Sequence, residues 1–399
     1  MRKKTTASTM RVVCGISTAS SIGAGFRFTC AMLNDGTARC WGTNGNGQLG
    51  NETTLQSINP TAVVNFPCGG GGTSNICGAC VPTSCAAQGV TSGAIADGCG
   101  GTLYCGSSYQ PRMAAGQYFN CAITPEGNVK CWGNNGNGQL GDGTTTDRYQ
   151  PVQVAGLSNV IALAAGESFV CALIQGGTAK CWGYNGNAQL GDGTSTQRTT
   201  PVAVSGLVNA VSISAGRLHV CARIADGTAR CWGYNGNGQL GDGTVTQRLS
   251  PVAVSGISTA IAVSAGRLHT CALLADGSVR CWGTNGNGQL GDNSVIQRNT
   301  SVAVSGISTA TAISAGYAHT CARLGDGTAK CWGLNGNGQL GDGTTTQRLT
   351  PVAVSGLAGA VGITAASQGT YTCALLANGT ASCWGLNGNN QLGDGTTTQ

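Results

Sequence analysis

Residues 265–283 read AGRLHTCALLADGSVRCWG. Two mostly apolar runs, His269 to Leu274 and Ser278 to Trp282, flank Ala275-Asp276-Gly277. A three-residue loop ending in glycine is the pattern of a type I turn closed by a G1 bulge, where glycine takes the positive φ. Such a loop pairs Leu274 with Ser278, Leu273 with Val279, Ala272 with Arg280 and Cys271 with Cys281. The closing pair is hydrogen-bonded and pairs alternate from it, so the two cysteines fall on a non-hydrogen-bonded pair, the closer kind. That separation suits a disulfide. A two-residue turn would instead set Cys271 against Trp282 and put the sulfurs out of register.

The same phrase occurs seven times. Its cysteines are Cys30 and Cys40, Cys121 and Cys131, Cys171 and Cys181, Cys221 and Cys231, Cys271 and Cys281, Cys321 and Cys331, and Cys373 and Cys383. Seven cross-strand disulfides are expected, one per repeat. Between Cys121 and Cys331 the period is 50 residues without a slip, and all 7 tryptophans follow the second cysteine. Two further extended runs, Pro251 to Val254 and Ala260 to Ser264, bring the count to four strands per repeat, separated by turn residues. Glycine interrupts every window long enough for a helix. A long loop rich in Gly and Asn, Gly283 to Asp292, leads to the next unit. Four antiparallel strands repeated seven times predict an all-β fold, a seven-bladed β-propeller. A solenoid is the competing architecture, but it would want atypical polar repeats at both ends. The organisation expected is an N-terminal tail over 1–9 and a propeller over 10–399, interrupted by an insertion at 67–107.

Composition narrows the environment. The chain has 21 cysteines and only 9% charged residues. That cysteine density points to an oxidising compartment. An odd count leaves one thiol over, and Cys14 belongs to no pair. CxxC occurs once, Cys77 to Cys80, so a tetrahedral metal site is the weaker reading. No stretch approaches the ~20 apolar residues of a membrane span. Met1-Arg-Lys-Lys begins like an export signal, but no apolar run follows it.

The insertion carries Cys68, Cys77, Cys80, Cys85, Cys99 and Cys105. Six cysteines in so short a stretch read as a disulfide-stapled module, with connectivity open. It resembles the small cysteine-rich segments of secreted bacterial hydrolases and surface proteins, through Ser84-Cys-Ala-Ala-Gln-Gly89 and Asp97-Gly-Cys-Gly-Gly-Thr-Leu-Tyr-Cys-Gly106. A projecting segment on a rigid scaffold is where binding usually resides.

The phrase Ala265-Gly-Arg-Leu-His-Thr-Cys-Ala-Leu-Leu-Ala-Asp-Gly277, followed by Trp282-Gly-Thr-Asn-Gly-Asn-Gly-Gln-Leu-Gly-Asp292, resembles the regulator of chromosome condensation repeat. The resemblance covers about 350 of the 399 residues. It implies a seven-bladed propeller whose repeats are offset from its blades, so that both chain ends share one blade. Here Arg11-Val-Val13 aligns with the Pro251 to Val254 strand and would complete the final blade. The family's functions include nucleotide exchange on a small GTPase, chromatin binding, light sensing, ubiquitin ligation and, in a secreted bacterial member, β-lactamase inhibition. Fold therefore does not supply function. The cysteine pairs are foreign to the nuclear members and resemble a bacterial, alpha-tubulin suppressor-like branch. The basic tail of a chromatin binder is reduced to Arg2-Lys3-Lys4. The tryptophans lie in the Trp-Gly phrase and not in a light sensor's cluster.

In a propeller, equivalent positions become rings. Arg148, Arg198, Arg248, Arg298 and Arg348 form one candidate rim collar. Asp142, Asp192, Asp242, Asp292, Asp342 and Asp394 form another, six residues earlier in the same loop. Either the collar receives an acidic partner, or each Asp caps its turn and each Arg braces the neighbouring blade; the turn chemistry of Asp favours the latter. Arg39, Lys130, Lys180, Arg230, Arg280 and Lys330 precede the second cysteine, where stacking on Trp or snorkelling explains them. His219, His269 and His319 share one column as structural histidines, not a metal set. The Asn-Gly-Asn-Gly loops lack the acidic ligands of a calcium site. No carboxylate pair or nucleophile with its base stands out, so no enzyme and no cofactor is expected. Charge is modest and distributed by repeat, which argues against nucleic acid. The reading that results is a non-enzymatic, extracellular or cell-surface scaffold binding a protein or glycan through one rim or the insertion. The alternatives are an inhibitor of a secreted enzyme and an intracellular exchange factor or chromatin binder.

Overall fold

Short strands rich in apolar residues and broken by tight turns leave each sheet with two faces to cover, and the chain covers them by ranking one sheet against the next, so that the middle strands are buried almost throughout. In the computed structural model, residues 10–66, 113–124 and 127–398 are described, together with the backbone of 93–96 and 102–105. Seven four-stranded antiparallel sheets are present among them. A representative blade comprises Ala260–Ala265, His269–Leu274, Val279–Gly283 and Arg298–Ala303, from the axis outward. The innermost strands adjoin one another right round the axis, and Ala19–Ala24 meets Ala360–Ala365 to complete the circuit. The architecture is thus a closed disc and not a solenoid.

The hairpin register is the expected one. Cys271 faces Cys281, Leu273 faces Val279, and the Leu274 amide donates to the Ser278 carbonyl at 2.9 Å. Gly277 takes φ 79° in the turn. A bulge at the tryptophan separates the pairs Cys281–Val302 and Gly283–Arg298. Gly283 (φ 102°) is required there, because a Cβ would sit 2.7 Å from the Leu268 carbonyl oxygen. The outer strand starts at Arg298, before the aligned β-branched run, since it pairs with Gly283 across the bulge. In the preceding repeat Pro251 lies within this strand, which an outer edge tolerates.

Arg11–Val12 pairs antiparallel with Ala381–Gly385 and is the fourth strand of the last blade. The Val13 amide donates to Ala381 O and the Cys14 amide to Gly393 O, both at 2.9 Å. The offset between repeats and blades is therefore present.

The core lies between blades. Every tryptophan is fully buried, and Trp232 packs with Cys171, Cys181 and Leu173 of the preceding blade. Each indole also donates across the interface to a glutamine carbonyl of the previous repeat. Trp282 reaches Gln239 O at 2.9 Å, and Trp41 reaches Gln391 O at 3.0 Å, closing the ring between last and first blades.

Candidate binding face

Strand direction divides the disc into two faces. The inner strand and its successor are joined by Gly266-Arg267-Leu268, and the third and fourth by the long Asn-Gly loop; both joints lie on one side, here the mouth face. The opposite, turn face carries the hairpin turns such as Asp276-Gly277. It also carries the links between repeats, since Ala260 N donates to Gly227 O and Ala275 N to Thr259 O. The insertion takes the place of one such link, between Phe66 and Met113, and is rooted on the turn face. Within it, Gly93–Ala96 pairs with Thr102–Cys105 as a short hairpin. The side chains of Cys68, Cys77, Cys80, Cys85, Cys99 and Cys105 lie outside the described residues.

The fourteen repeat cysteines occupy the positions read from the sequence. Cys30 bonds Cys40, Cys121 bonds Cys131, Cys171 bonds Cys181 and Cys221 bonds Cys231. Cys271 bonds Cys281, Cys321 bonds Cys331 and Cys373 bonds Cys383, and in all seven pairs the Cα atoms are 4.1 Å apart. None of the fourteen is a surface group. Cys40 shares a buried cluster with Trp132, Cys131 with Trp182, Cys231 with Trp282 and Cys383 with Trp41, each tryptophan belonging to the next blade. These cysteines are therefore interior staples of the blade interfaces, and no part of a contact surface. Cys14 is unpaired and exposed.

The aspartate collar caps its own turns. Asp242 accepts from the Thr244 amide at 3.0 Å and hydroxyl at 2.8 Å, and Asn235 ties the loop through Asp242 and Thr246 O. Contrary to the expectation from sequence, Arg248 does not brace the neighbouring blade. Its Nε and Nη2 lie 2.8 and 2.7 Å from Asp242, six residues back in the same loop. Arg148, Arg198, Arg298 and Arg348 do the same with Asp142, Asp192, Asp292 and Asp342. These arginines are spent on their own carboxylates, which weakens them as rim contacts. The arginine paired with Asp394 is Arg11, at 3.3 Å, from the N-terminal strand. Burial would raise the pKa of Asp142, Asp192, Asp242, Asp292 and Asp342, but bonds from the Thr or Ser hydroxyl and from Arg outweigh it and hold each below the usual value.

In the basic column before the second cysteine Lys130, Lys180, Arg280 and Lys330 cap carbonyls, and none of the six stacks on tryptophan. Lys180 Nζ lies 3.3 Å from Gly156 O, and Arg280 Nη1 lies 3.3 Å from Ser301 O. The tryptophans are sealed inside the blade interfaces, out of their reach.

The histidines are structural. His219, His269 and His319 are fully buried, and each Nε2 lies 2.9–3.0 Å from a threonine hydroxyl of the next blade: Thr270, Thr320 and Thr372. Those hydroxyls donate to Gln239 O, Gln289 O and Gln339 O, so each must accept from a protonated Nε2. Burial pushes the three imidazoles down to about 3, which keeps them neutral. Among the described residues no three His, Cys, Asp or Glu side chains are grouped to hold a metal ion. No described helix is long and apolar enough to cross a membrane.

What the sequence reading missed is the ring around the channel mouth. The channel is narrow, about 170 Å³, and lined by small residues such as Ala165, Ser214, Ser264 and Ala315. At its mouth stand the two residues that follow Ala-Gly in six repeats and Ala365-Ala366 in the last; most are at least partly exposed, while Ala318 and Gln368 are buried. The first column reads Phe26, Gln117, Glu167, Arg217, Arg267, Tyr317 and Ser367. Arg267 lies 4.2 Å from the centroid of Tyr317, and Arg27 lies 4.8 Å from that of Phe26. Phe26 meets Tyr118 edge-on at 5.8 Å, and Arg217 Nε meets Glu167 at 2.8 Å. A chain of backbone bonds holds part of the ring: Gln117 N to Glu167 O, Glu167 N to Arg217 O, Arg217 N to Arg267 O and Arg267 N to Gly316 O. The legible signal was variation: six residue types in seven repeats, between columns of invariant Cys and Trp.

Comparison with known proteins agrees with this architecture. The chain matches the regulator of chromosome condensation (RCC1) repeat over residues 126–173, 178–223, 226–273, 276–323 and 326–376, and a second form of the repeat also over 19–48 and 112–139. It belongs to the RCC1 repeat family. The crystal structure of human WBSCR16 superposes with a TM-score of 0.70 at 20% identity, covering 92% of this chain and 87% of that one. Yeast RCC1 (Prp20), crystallised with Kap60, gives a TM-score of 0.70 at 17% identity, covering 96% and 89%. The ectodomain of the Physcomitrella patens receptor kinase CR4 gives 0.52 at 19%, covering 92% and 74%. At these identities the likeness is one of fold.

Proposed function

We propose that this chain is a non-enzymatic, exported binding propeller that recognises a protein partner through an exposed face or the cysteine-rich insertion. The observation that carries the reading is the cysteine pair at disulfide distance in every one of seven blades. A reducing cytosol would keep such pairs open, and the interfaces they pack in are the body's main core. The family match supports a binding role over catalysis, as RCC1-type propellers act chiefly by contact. Yeast RCC1 was crystallised with a protein partner, and the fold also serves as a receptor ectodomain in a moss, which supports protein recognition and an extracellular setting.

Two measurements test it. Protein isolated without reductant and unfolded in an alkylating agent should show the fourteen repeat cysteines unlabelled by mass spectrometry; labelling of all of them would return the chain to the intracellular exchange-factor reading. Intact chain and a chain lacking 67–107 should then differ in the secreted proteins they retain if the insertion carries recognition, and agree if a propeller face does. A chain retaining only a polysaccharide would replace the protein partner by a glycan.

A further inference from the structure

We infer that the channel mouth is a docking site for an acidic peptide segment of a partner protein. The inference rests on the binding role proposed above and assigns it to a surface. Within the inner ring stand three guanidiniums, Arg27, Arg217 and Arg267, and one carboxylate, Glu167. Arg217 is paired with that carboxylate, whereas Arg27 and Arg267 form no ion pair among the described residues. In the outer collar on the same face every arginine is matched to its own aspartate. On this face the mouth therefore differs from the collar, whose arginines are already neutralised.

The two unmatched arginines are not loose. Each is laid over an aromatic ring, Arg27 on Phe26 and Arg267 on Tyr317. Stacking fixes the guanidinium plane and leaves its N–H edge free for a carboxylate, which binds such a fork in two parallel bonds. Less rotamer freedom then remains to be lost on binding. Backbone bonds between blades anchor the rim from Gln117 round to Arg267, and Phe26 and Tyr118 offer apolar area beside Arg27. Burial, and then the nearby Arg217 charge, lower the Arg267 pKa, while the Glu167 carboxylate acts the other way.

The shape favours a loop tip over a polysaccharide. The mouth is a ring around a pit lined mostly by Ala and Ser, which suits a single loop tip better than a run of successive sugars. A neutral saccharide would leave the guanidiniums unmatched. Structural demand does not explain the ring either, for its first column holds six residue types in a repeat whose Cys and Trp columns never change.

The test uses the intact chain and a fluorescein-labelled decapeptide of alternating Glu and Gly, with its Gln counterpart, read by anisotropy. The Glu peptide should bind at about 20 mM salt and weaken steeply by about 300 mM. Reversal at the mouth, Arg27→Glu with Arg267→Glu, should weaken it by roughly tenfold or more. Arg27→Lys with Arg267→Lys should retain only part of the affinity, because the fork is lost while the charge remains. Arg39→Glu, away from the mouth, should bind as wild type, and thermal melts should show both mouth variants folded. Equal binding by the reversed variant, no binding of the Glu peptide, or equal binding of the Gln peptide would overturn the inference. Mouth-dependent binding of an oligogalacturonate in place of the peptide would reassign the site to an anionic glycan and overturn it as stated. Partner capture that survives mouth reversal but not loss of 67–107 would remove this inference and leave the wider binding role standing.

Discussion

Thr270 has one hydroxyl proton and gives it to Gln239 O, which leaves its lone pairs for His219 across the blade interface. The same interface elsewhere is filled without polarity: Phe119 and Phe169 stand in the histidine column, and the next blade offers Val170 and Val220, all buried. In the three His/Thr and two Phe/Val pairs the partners change together, ring nitrogen with hydroxyl and benzene ring with methyls, whereas Phe28 is followed in the next blade by Asn120. Tyr371 keeps to the polar form, 3.0 Å from Thr29 and donating to Phe28 O at 2.6 Å. Replacing Thr270 alone by Val strands a buried Nε2 proton and should cost about 1–3 kcal/mol. Making His219→Phe as well reproduces the pair found at Phe169 and Val220. The double variant should then lose clearly less than the sum of the two single variants in denaturant unfolding; additive losses would show that the pairs are not coupled.

A strand of two residues closes the disc. Arg11–Val12 covers the edge of Ala381–Gly385, Val13 is buried behind it, and Arg11 supplies the ion pair for Asp394. Without it the last blade would show a bare edge and lose the velcro between chain ends. Deletion of residues 1–14 should cost roughly 2–5 kcal/mol, from burial of one valine side chain and the strand's hydrogen bonds. The measured consequence is a melting temperature lower by several degrees and a greater tendency to self-associate. An unchanged melt would remove that strand from the fold's support.

Acid should act on the disc through three blade interfaces before it acts on the rim. His219, His269 and His319 titrate near 3 when folded and near 6.5 when unfolded. Between those values the unfolded chain binds more protons, so stability is full above about pH 6.5 and falls as pH drops toward 3. The slope is roughly 1.4 kcal/mol per pH unit for each histidine. The collar aspartates, with folded values below the ordinary 3.8, contribute only further down, their share being lost as pH falls below about 3.8. A loss of melting temperature between pH 6.5 and 4 is therefore expected. It should flatten when all three His/Thr pairs are replaced by Phe/Val. A flat profile in the parent chain would contradict the burial of these rings.

Much of this was open to reading along the chain. A glycine after Ala-Asp sets a three-residue turn, the turn sets the pairing, and the pairing puts Cys271 against Cys281 at 4.1 Å; all of that is local chemistry acting within a hairpin. A strict period told the number of blades, because a unit that cannot cover its own faces must stack. Partners across an interface were another matter. That Cys383 is buried with Trp41, that His219 meets Thr270, and that Arg267 lies on Tyr317 depend on where rigid blades stand relative to one another. Sequence spacing within a repeat carries no record of that placement. It arises when a closed ring brings residues about fifty positions apart, or from opposite ends of the chain, to within a hydrogen bond.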